Sequence, residues 1–278
     1  MVSLDTFDPD TILAANKAGI ELLLSINSTN LALAPSLRCK VVVIPDFGKG
    51  LESLEHNATQ LQEWGVPYIM DPILDPLNFG FTECLNRFYE TRRRHPEAEM
   101  LMGLANLTEL TDADSVGINA LMAGVITELQ IDYVLTTEVI SWCRGAVREL
   151  DLARKLMYYA NRNHILPKNL DDNLITIKDP PYEPYDEAEL RHMHKRLHDR
   201  NFRIFTDKQW IYVFNRDMFI RGTKPDEIFA KLEVDDPSHA FYLGRELERA
   251  WLAVKLGKKY TQESSLRWGY LSEKWDTA

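Results

Sequence analysis

Carboxylate, amide and hydroxyl side chains recur at one kind of position in this 278-residue sequence, at the ends of short apolar runs. A carboxylate accepts two hydrogen-bond donors side by side, whereas an asparagine amide donates and accepts at once. Gathered in one pocket, such groups would bind a small polar ligand along its hydrogen-bonding edge. The residues concerned are Asp5, Thr6, Ser25, Asn27, Asp46, Asp71, Asp75, Asn106, Thr136, Thr137 and Glu138.

The apolar runs themselves predict six strands that alternate with helices. Because the runs are nearly continuous, each strand is expected to be buried on both faces, as in a parallel sheet covered by helices. Strand and helix alternate at about 20–30 residues per unit, which predicts βα units. The predicted strands cover 3–7, 21–27, 39–47, 66–74, 100–107 and 132–139, and the predicted helices lie near 8–19, 51–64, 81–94, 115–129 and 144–163.

Polar residues at the end of all six strands favour a (β/α) barrel over a doubly wound sheet. In a barrel the C-terminal strand ends converge on one mouth, whereas an open sheet needs such residues only where the strand order reverses. The sequence has no glycine-rich phosphate loop, which also disfavours a nucleotide-binding sheet. A closed barrel needs eight strands, and the first predicted strand starts at Ser3. We therefore expect a TIM-type barrel that lacks its first two βα units.

The pattern changes after residue 165, which divides the chain into a partial barrel at 1–165, a linker at 166–185 and a small α+β domain at 186–278. The linker is proline-rich and acidic, with one short predicted strand at 174–179. The last domain is predicted to contain a polar helix at 186–199, a hairpin at 203–215 that turns at 207–209, and an amphipathic helix at 238–257.

Composition limits the class of protein and its partners. The net charge of −10 and the pI near 5.3 would repel a phosphate backbone, so no nucleic acid is expected as a partner. No apolar run of about 18 residues predicts a membrane span, and the acidic start does not resemble a signal peptide. Three widely spaced cysteines argue against a disulfide framework and fit a reducing cytoplasm. The histidines of 186–199 lack further ligands, so no metal is expected.

Several segments resemble the dihydropteroate synthases and the pterin-binding methyltransferases. These are SLDTFDPDTILAANKAGIELL at 3–23, DPLNFGF at 75–81 and MGLANLTE at 102–109. The stretch 66–145 is most similar to the dihydropteroate synthase-related proteins of methanogens and methanopterin-using bacteria, including methylotrophs. The module at 201–271 resembles the small domain of unknown function fused to the C-terminus of those proteins. The resemblance implies that the N-terminal part of the family is missing here, and it implies a role in making tetrahydromethanopterin, a one-carbon carrier.

The resemblance also implies which residues bind a pterin. Asp5 matches the strand-end aspartate of the synthases, and Asn106 matches the asparagine of the methyltransferase strand. Asp75 matches an Asp-Pro pair, but Asp71 and Pro72 repeat that pattern four residues earlier, so either aspartate could face the ring. The whole set assigned to the pterin is Asp5, Ser25, Asn27, Asp71, Asp75, Asn106 and Glu138.

Two departures from the synthase pattern concern positive charge. Leu107 stands where the synthases carry a lysine, and the strand that ends at Glu138 lacks their Arg-x-His, which binds the leaving diphosphate. Losing both cations would remove charge stabilisation from the transition state. Arg144 and Arg148 follow at a predicted helix N-terminus, where an anion is favoured, and they are the weaker candidates for binding phosphate. The catalytic residues stay unassigned.

Two kinds of function remain open at this point. The first is a transferase that condenses a pterin-methyl diphosphate with a ribosylated arylamine and releases diphosphate. The second is a non-catalytic module that binds a reduced pterin, or a scaffold of one-carbon metabolism. Either way, the expected partner is a reduced pterin as substrate or ligand, with no covalently bound cofactor and no membrane, and a homodimer stays open.

Overall fold

The computed structural model describes residues 2–272, which belong to two compact units, Met1–Lys168 and Asn169–Ala278. The first unit contains strands β1 (Ser3–Asp5), β2 (Leu22–Ile26), β3 (Lys40–Val43), β4 (Tyr68–Met70), β5 (Leu101–Gly103) and β6 (Tyr133–Leu135). Its α-helices are α1 (Pro9–Ala18), α2 (Gly50–Glu63), α3 (Phe81–Arg94), α4 (Ala105–Thr108), α5 (Ser115–Glu128) and α6 (Ala146–Arg162). Short 3₁₀ helices cover Leu31–Ser36 and Ser141–Cys143.

All six strands of the first unit run parallel, and each lies beside the next one along the chain. Strands β1 to β4 form one sheet and β5 pairs with β6, while a single bridge between Met70 and Met100 links the two sheets. This order never reverses, as it would in a doubly wound sheet. The chain is therefore a mixed α/β protein built from consecutive βα units. Among residues 2–272, no pairing joins β6 back to β1.

One face of these strands carries a purely apolar cluster. Leu22, Leu24, Val42, Ile69 and Leu101 are buried together on it. Side chains alternate between faces along a strand, so a residue two positions after Ile69 emerges on the same face. Position 71 is that residue, and the backbone N–H of Asp71 donates to the carbonyl of Val43 at 2.9 Å. The first polar group beyond the apolar cluster on β4 is thus a carboxyl group.

Aspartates begin several helices, which explains part of the acidic composition. Asp8 accepts from the backbone N–H of Thr11 at 2.9 Å to start α1, and Gly19 ends that helix at φ 88°. In the second unit, Asp186 and Glu189 form a reciprocal capping box at the start of α7 (Glu187–His194). These carboxylates act locally in capping.

The second unit is a three-stranded antiparallel sheet with helices. Strands β7 (Arg203–Thr206), β8 (Ile211–Phe214) and β9 (Phe219–Gly222) pair in order, and helices α8 (Pro225–Phe229) and α9 (Pro237–Leu256) follow. One face of the sheet packs on α8 and α9 through an apolar core that includes Ile204, Val213 and Leu247. The other face packs on α7 through Tyr212 and Phe214. The predicted hairpin is confirmed, since Thr206 pairs with Ile211 across the turn.

The strand predicted at 174–179 is wrong. No strand covers these residues, although their sequence, LITIKD, has the apolar content of one. Instead, the segment packs against residues 258–270, and the ammonium group of Lys258 donates to the carbonyl of Thr176 at 2.8 Å. The carbonyl of Thr176 is therefore satisfied by a side-chain donor, and not by the backbone N–H of a neighbouring strand. Among the described residues, every helix is too short or too polar to cross a membrane.

Candidate functional site

The loops that follow β1 to β6 lie at the C-terminal ends of the strands, where hydrogen bonds connect neighbouring loops. We call this region the C-terminal edge (residues 5–8, 25–30, 43–49, 71–80, 103–114 and 136–145). Between β1 and β2, the Ser25 hydroxyl donates to Asp5 at 2.8 Å. Between β2 and β3, the backbone N–H of Ser28 donates to Asp46 at 3.0 Å. Burial by itself raises the pKa of Asp46, but the hydrogen bonds that it accepts from Ser28, Asn57 and Lys49 together outweigh burial and lower the pKa to about 2. Asp46 therefore stays ionised and holds its loop.

The same kind of contact joins the loops after β4, β5 and β6. The side-chain amide of Asn106 donates to the carbonyl of Leu74 at 2.7 Å. Glu109 accepts from the Thr137 hydroxyl at 2.6 Å and from the backbone N–H of Val139 at 2.8 Å. These bonds lower the pKa of Glu109. Sequence reasoning missed Glu109 because its partners lie about 30 residues away and no spacing rule connects them.

Asp71 differs from the other carboxylates of the C-terminal edge because it is buried with little compensation. Only 8% of the residue is exposed. Among the described residues, its carboxyl group accepts one hydrogen bond, from the backbone N–H of Ile73 at 2.8 Å. Burial raises the Asp71 pKa to about 7, although the Ile73 amide and the charge of Arg87 act in the opposite direction. A carboxyl group that changes its charge near neutrality beside an apolar cluster is a candidate for a binding or catalytic role.

Asp75, by contrast, is engaged by a cation. Arg87 of α3 donates to Asp75 at 2.7 Å and also to the carbonyls of Pro72 at 3.2 Å and Ile73 at 2.9 Å. The guanidinium thereby holds the whole β4–α3 loop in shape. Ile73 has φ 65°, in the left-handed region that β-branched residues rarely adopt. The structure thus gives Asp71 and Asp75 different surroundings, a difference that their shared Asp-Pro pattern could not reveal.

Asn27 is buried at the end of β2, with 1% of the residue exposed. Its side-chain oxygen accepts from the backbone N–H of Thr29 at 3.0 Å and from the Thr29 hydroxyl at 2.6 Å. The backbone N–H of Asn27 donates to Asn30 at 2.9 Å. Ser25 precedes this turn with φ 69°, another left-handed residue. Among the described residues, no acceptor is seen for the side-chain NH₂ group of Asn27.

The remaining predicted residues lie around the C-terminal edge in different roles. Asn106 belongs to the short helix α4 and not to the end of a strand, because the chain turns helical directly after β5. Glu138 accepts from the backbone N–H of Val147 at 2.9 Å, so a protein carboxylate already lies at the N-terminus of α6. Arg144 and Arg148 are exposed near that terminus, whereas Leu107 is buried.

These placements bring some of the predicted residues together. Asp5 and Ser25 are hydrogen-bonded to each other, and Asn27, Asp71 and Asn106 follow β2, β4 and β5 at the same edge. No hydrogen bond joins these three to one another within the part of the chain that the structure describes. In that part, no three His, Cys, Asp or Glu side chains are grouped as a metal ion would require. The arrangement offers hydrogen-bond donors and acceptors together with one titratable carboxyl group.

Comparison with known proteins gives two findings. Residues 201–263 match the family model described as PterinBD-DUF4346, so the match lies in the second unit. An uncharacterized protein of Methanocaldococcus jannaschii is 33% identical over 305 residues, which cover 95% of this chain and 58% of that protein. The chain therefore spans a little over half the length of this relative. The similarity extends through both units, whereas the family model covers only a part of the second.

Proposed function

We propose that this chain, whose second unit matches a family model named for pterin binding, binds a reduced pterin at the C-terminal edge of its first unit. The observation that carries the proposal is Asp71, a buried carboxyl group on the apolar face of the strands with a single hydrogen bond among the described residues. A flat ring with a polar edge fits a place where an apolar surface ends at a carboxyl group.

The chemistry of the ring explains why Asp71 suits it. A pterin presents its 2-amino group and N3–H as neighbouring donors, and an ionised carboxylate can accept both. Asp75 is the weaker choice because Arg87 already occupies it at 2.7 Å. The side-chain amides of Asn27 and Asn106 would form hydrogen bonds with N5 and O4 of the pterin. Asp5, Ser25 and Glu138 would line the rest of the site. A TIM-type barrel would bring all of these positions to one mouth.

The finer activity we propose is a dihydropteroate synthase-like transfer that contributes to tetrahydromethanopterin biosynthesis. The nitrogen of a ribosylated arylamine would attack the methylene carbon of a pterin-methyl diphosphate. A C–N bond would form, the C–O bond to diphosphate would break, and the proton of the amine would pass to solvent. Asp71 and its neighbours would hold the pterin through this step, since binding that strengthens in the transition state accelerates it.

A non-catalytic pterin-binding module is the second candidate, and a specific observation favours it. Leu107 is buried with 3% exposed, at the position that corresponds to the synthase lysine. Glu138 lies at the N-terminus of α6, where a leaving diphosphate would otherwise be favoured. The exposed Arg144 and Arg148 would then have to neutralise a departing diphosphate. Diphosphate release from a pterin-methyl diphosphate and an arylamine, followed with the full chain, separates the two candidates.

Calorimetric titration of the full chain with 7,8-dihydropterin tests the binding itself. We expect Asp71→Asn to weaken binding about 10–100-fold, because a charged hydrogen-bond acceptor is lost. Asp75→Asn is the matched control, and we expect a change of about threefold or less. The proposal fails if wild type shows no saturable binding, or if Asp75→Asn weakens binding more than Asp71→Asn.

A further inference from the structure

The outer side of β6 is a free strand edge, because β6 pairs only with β5 among the described residues. The backbone N–H of Tyr133 donates to the carbonyl of Met100 at 3.0 Å. The carbonyl of Leu135 accepts from the backbone N–H of Leu104 at 2.8 Å. Alternate residues of a strand direct their backbone groups to opposite sides, so Val134 directs its N–H and carbonyl away from β5. A free edge of this kind is a template for one more strand.

A cleft of about 850 Å³ runs along this edge, within the first unit. We call it the β6 cleft. Its lining includes Ile126 of α5, Val134 and Thr136 of the β6 segment, and Val147, Leu150 and Tyr158 of α6. Val147 and Tyr158 are exposed, although the side of a helix that faces a sheet is ordinarily covered. The cleft is therefore an uncovered, largely apolar surface beside unused backbone groups.

The order of the βα units indicates what fits into the β6 cleft. In a right-handed βα unit, the helix packs over its own strand and the next parallel strand. Helix α2, which follows β3, contacts both β3 and β4 in this way. Helix α6 follows β6 and is fixed to α5, where the side-chain amide of Asn119 donates to Glu149 at 2.9 Å. The side of α6 that carries Val147 and Tyr158 thus faces the position of a next parallel strand.

Charge and chain length distinguish between possible sources of this strand. Two copies of this chain, each with a net charge of −10, repel one another, which disfavours a second copy. The longer relative matches 95% of this chain with 58% of its own length, so the rest of that relative has no counterpart here. The charged residues that line the β6 cleft are balanced, with two of each sign, namely Asp132, Asp151, Arg154 and Arg162. An uncharged apolar strand is therefore the segment that suits the cleft.

We propose that the β6 cleft binds an apolar β-strand of a second polypeptide, one that corresponds to the unmatched part of this relative. The strand would pair in parallel with β6 through the N–H and carbonyl of Val134. Its side chains would pack on Val147, Leu150 and Tyr158 of α6. This inference does not depend on the pterin proposal, because none of these residues is assigned to the pterin.

The test is a titration of the full chain with the unmatched part of the Methanocaldococcus jannaschii relative, produced as a separate polypeptide and followed by sedimentation velocity. We expect a monomer of the chain alone and a complex with one copy of each partner. Val147→Lys places a charge among the apolar side chains of the cleft and should weaken the complex about tenfold. Leu121→Lys is the matched control, because Leu121 is an exposed leucine of α5 outside the cleft. This control should stay within about twofold of wild type.

A second pair of variants tests the strand pairing itself. Val134→Pro removes the N–H that points away from β5, which the pairing of β5 with β6 does not use. We expect it to weaken the complex about tenfold, whereas Val134→Thr keeps the N–H and should stay within about threefold. Thermal unfolding shows whether Val134→Pro folds. If it does not, hydrogen exchange of the Val134 amide in wild type replaces it, and this exchange should slow at least tenfold in the complex.

Three results would overturn the proposal. The first is the absence of a complex at micromolar concentration. The second is an equal loss of affinity in Val147→Lys and Leu121→Lys, or a Val134 amide that exchanges as fast in the complex as in the chain alone. The third is a dimer of the chain alone that Val147→Lys dissociates, because the β6 cleft would then belong to a second copy.

Discussion

Two buried carboxyl groups, one in each unit, differ in the number of hydrogen bonds that they accept. Glu246 of α9 is fully buried, and its oxygens accept from the Arg249 guanidinium at 2.6 Å, the Tyr260 hydroxyl at 2.9 Å and the Glu263 backbone N–H at 3.0 Å. Asp71 of the first unit is almost as buried, yet among the described residues its carboxyl group accepts a single hydrogen bond, from the Ile73 backbone N–H.

The difference separates a carboxyl group that stabilises the fold from one that is available to a ligand. A buried carboxylate with a full set of partners contributes to the packing of its own unit, and removing it leaves those partners unsatisfied. A buried carboxyl group with few partners lowers the free energy of unfolding when it ionises. Its ionised form is therefore stabilised most when a ligand supplies hydrogen-bond donors. By this comparison, Glu246 serves the fold, and Asp71 is the carboxyl group that is available to a ligand.

The largest expected effect is on Glu246. Replacing it with alanine leaves Arg249 and the buried Tyr260 hydroxyl without their acceptor, so we expect a loss of about 3–5 kcal/mol in the free energy of unfolding of the second unit. Urea unfolding followed by tryptophan fluorescence measures this loss. Glu248→Ala, on the exposed side of the same helix, is the control. Equal losses in the two variants would refute a structural role for Glu246.

Replacing Asp71 with asparagine should raise the free energy of unfolding, whereas replacing Glu246 lowers it, and the gain should depend on pH. Its folded pKa of about 7 lies above the ordinary value of 3.8, so the folded state holds the proton more tightly. Wild type therefore loses stability as pH rises from about 4 to 7. Asp71→Asn removes this loss, and the variant should gain about 2–4 kcal/mol over wild type at pH 8 but almost nothing at pH 4. A gain of equal size at both pH values would contradict the elevated pKa.

Asn106 should give a smaller effect. Its side chain donates to the carbonyl of Leu74 and so ties the β4 loop to α4. Asn106→Ala should lower the free energy of unfolding of the first unit by about 1 kcal/mol, the usual value of one hydrogen bond. Thermal unfolding measures this loss, and dihydropterin affinity should change less than in Asp71→Asn. Unchanged stability together with a larger loss of affinity would make Asn106, and not Asp71, the main contact.

The sequence predicted the features that local periodicity encodes. The parallel βα units follow from continuous apolar runs, and the hairpin follows from two runs that flank Asp207. The strand predicted at 174–179 is wrong because its apolar residues pack in an irregular segment fixed by Lys258. No local pattern distinguishes a lysine that will be buried from one on the surface.

For the candidate site, the residue types could be predicted, but the partners of each residue could not. Asp71 and Asp75 carry the same Asp-Pro pattern, and only the position of Arg87 on α3 separates them. Asn106 was expected at a strand end, but β5 ends at Gly103 and the chain turns into a helix. These outcomes depend on tertiary contacts, which override local preference.

The pH dependence of dihydropterin affinity tests the central role of Asp71 most directly. The ionised carboxylate is the form that accepts both donors of the ring, and with a pKa of about 7 its population increases about tenfold between pH 6 and pH 8. Calorimetric titrations of wild type should therefore show affinity rising about tenfold over this interval, while Asp71→Asn binds weakly and almost independently of pH. The same pH dependence in Asp71→Asn as in wild type would contradict the assignment of Asp71 to the pterin.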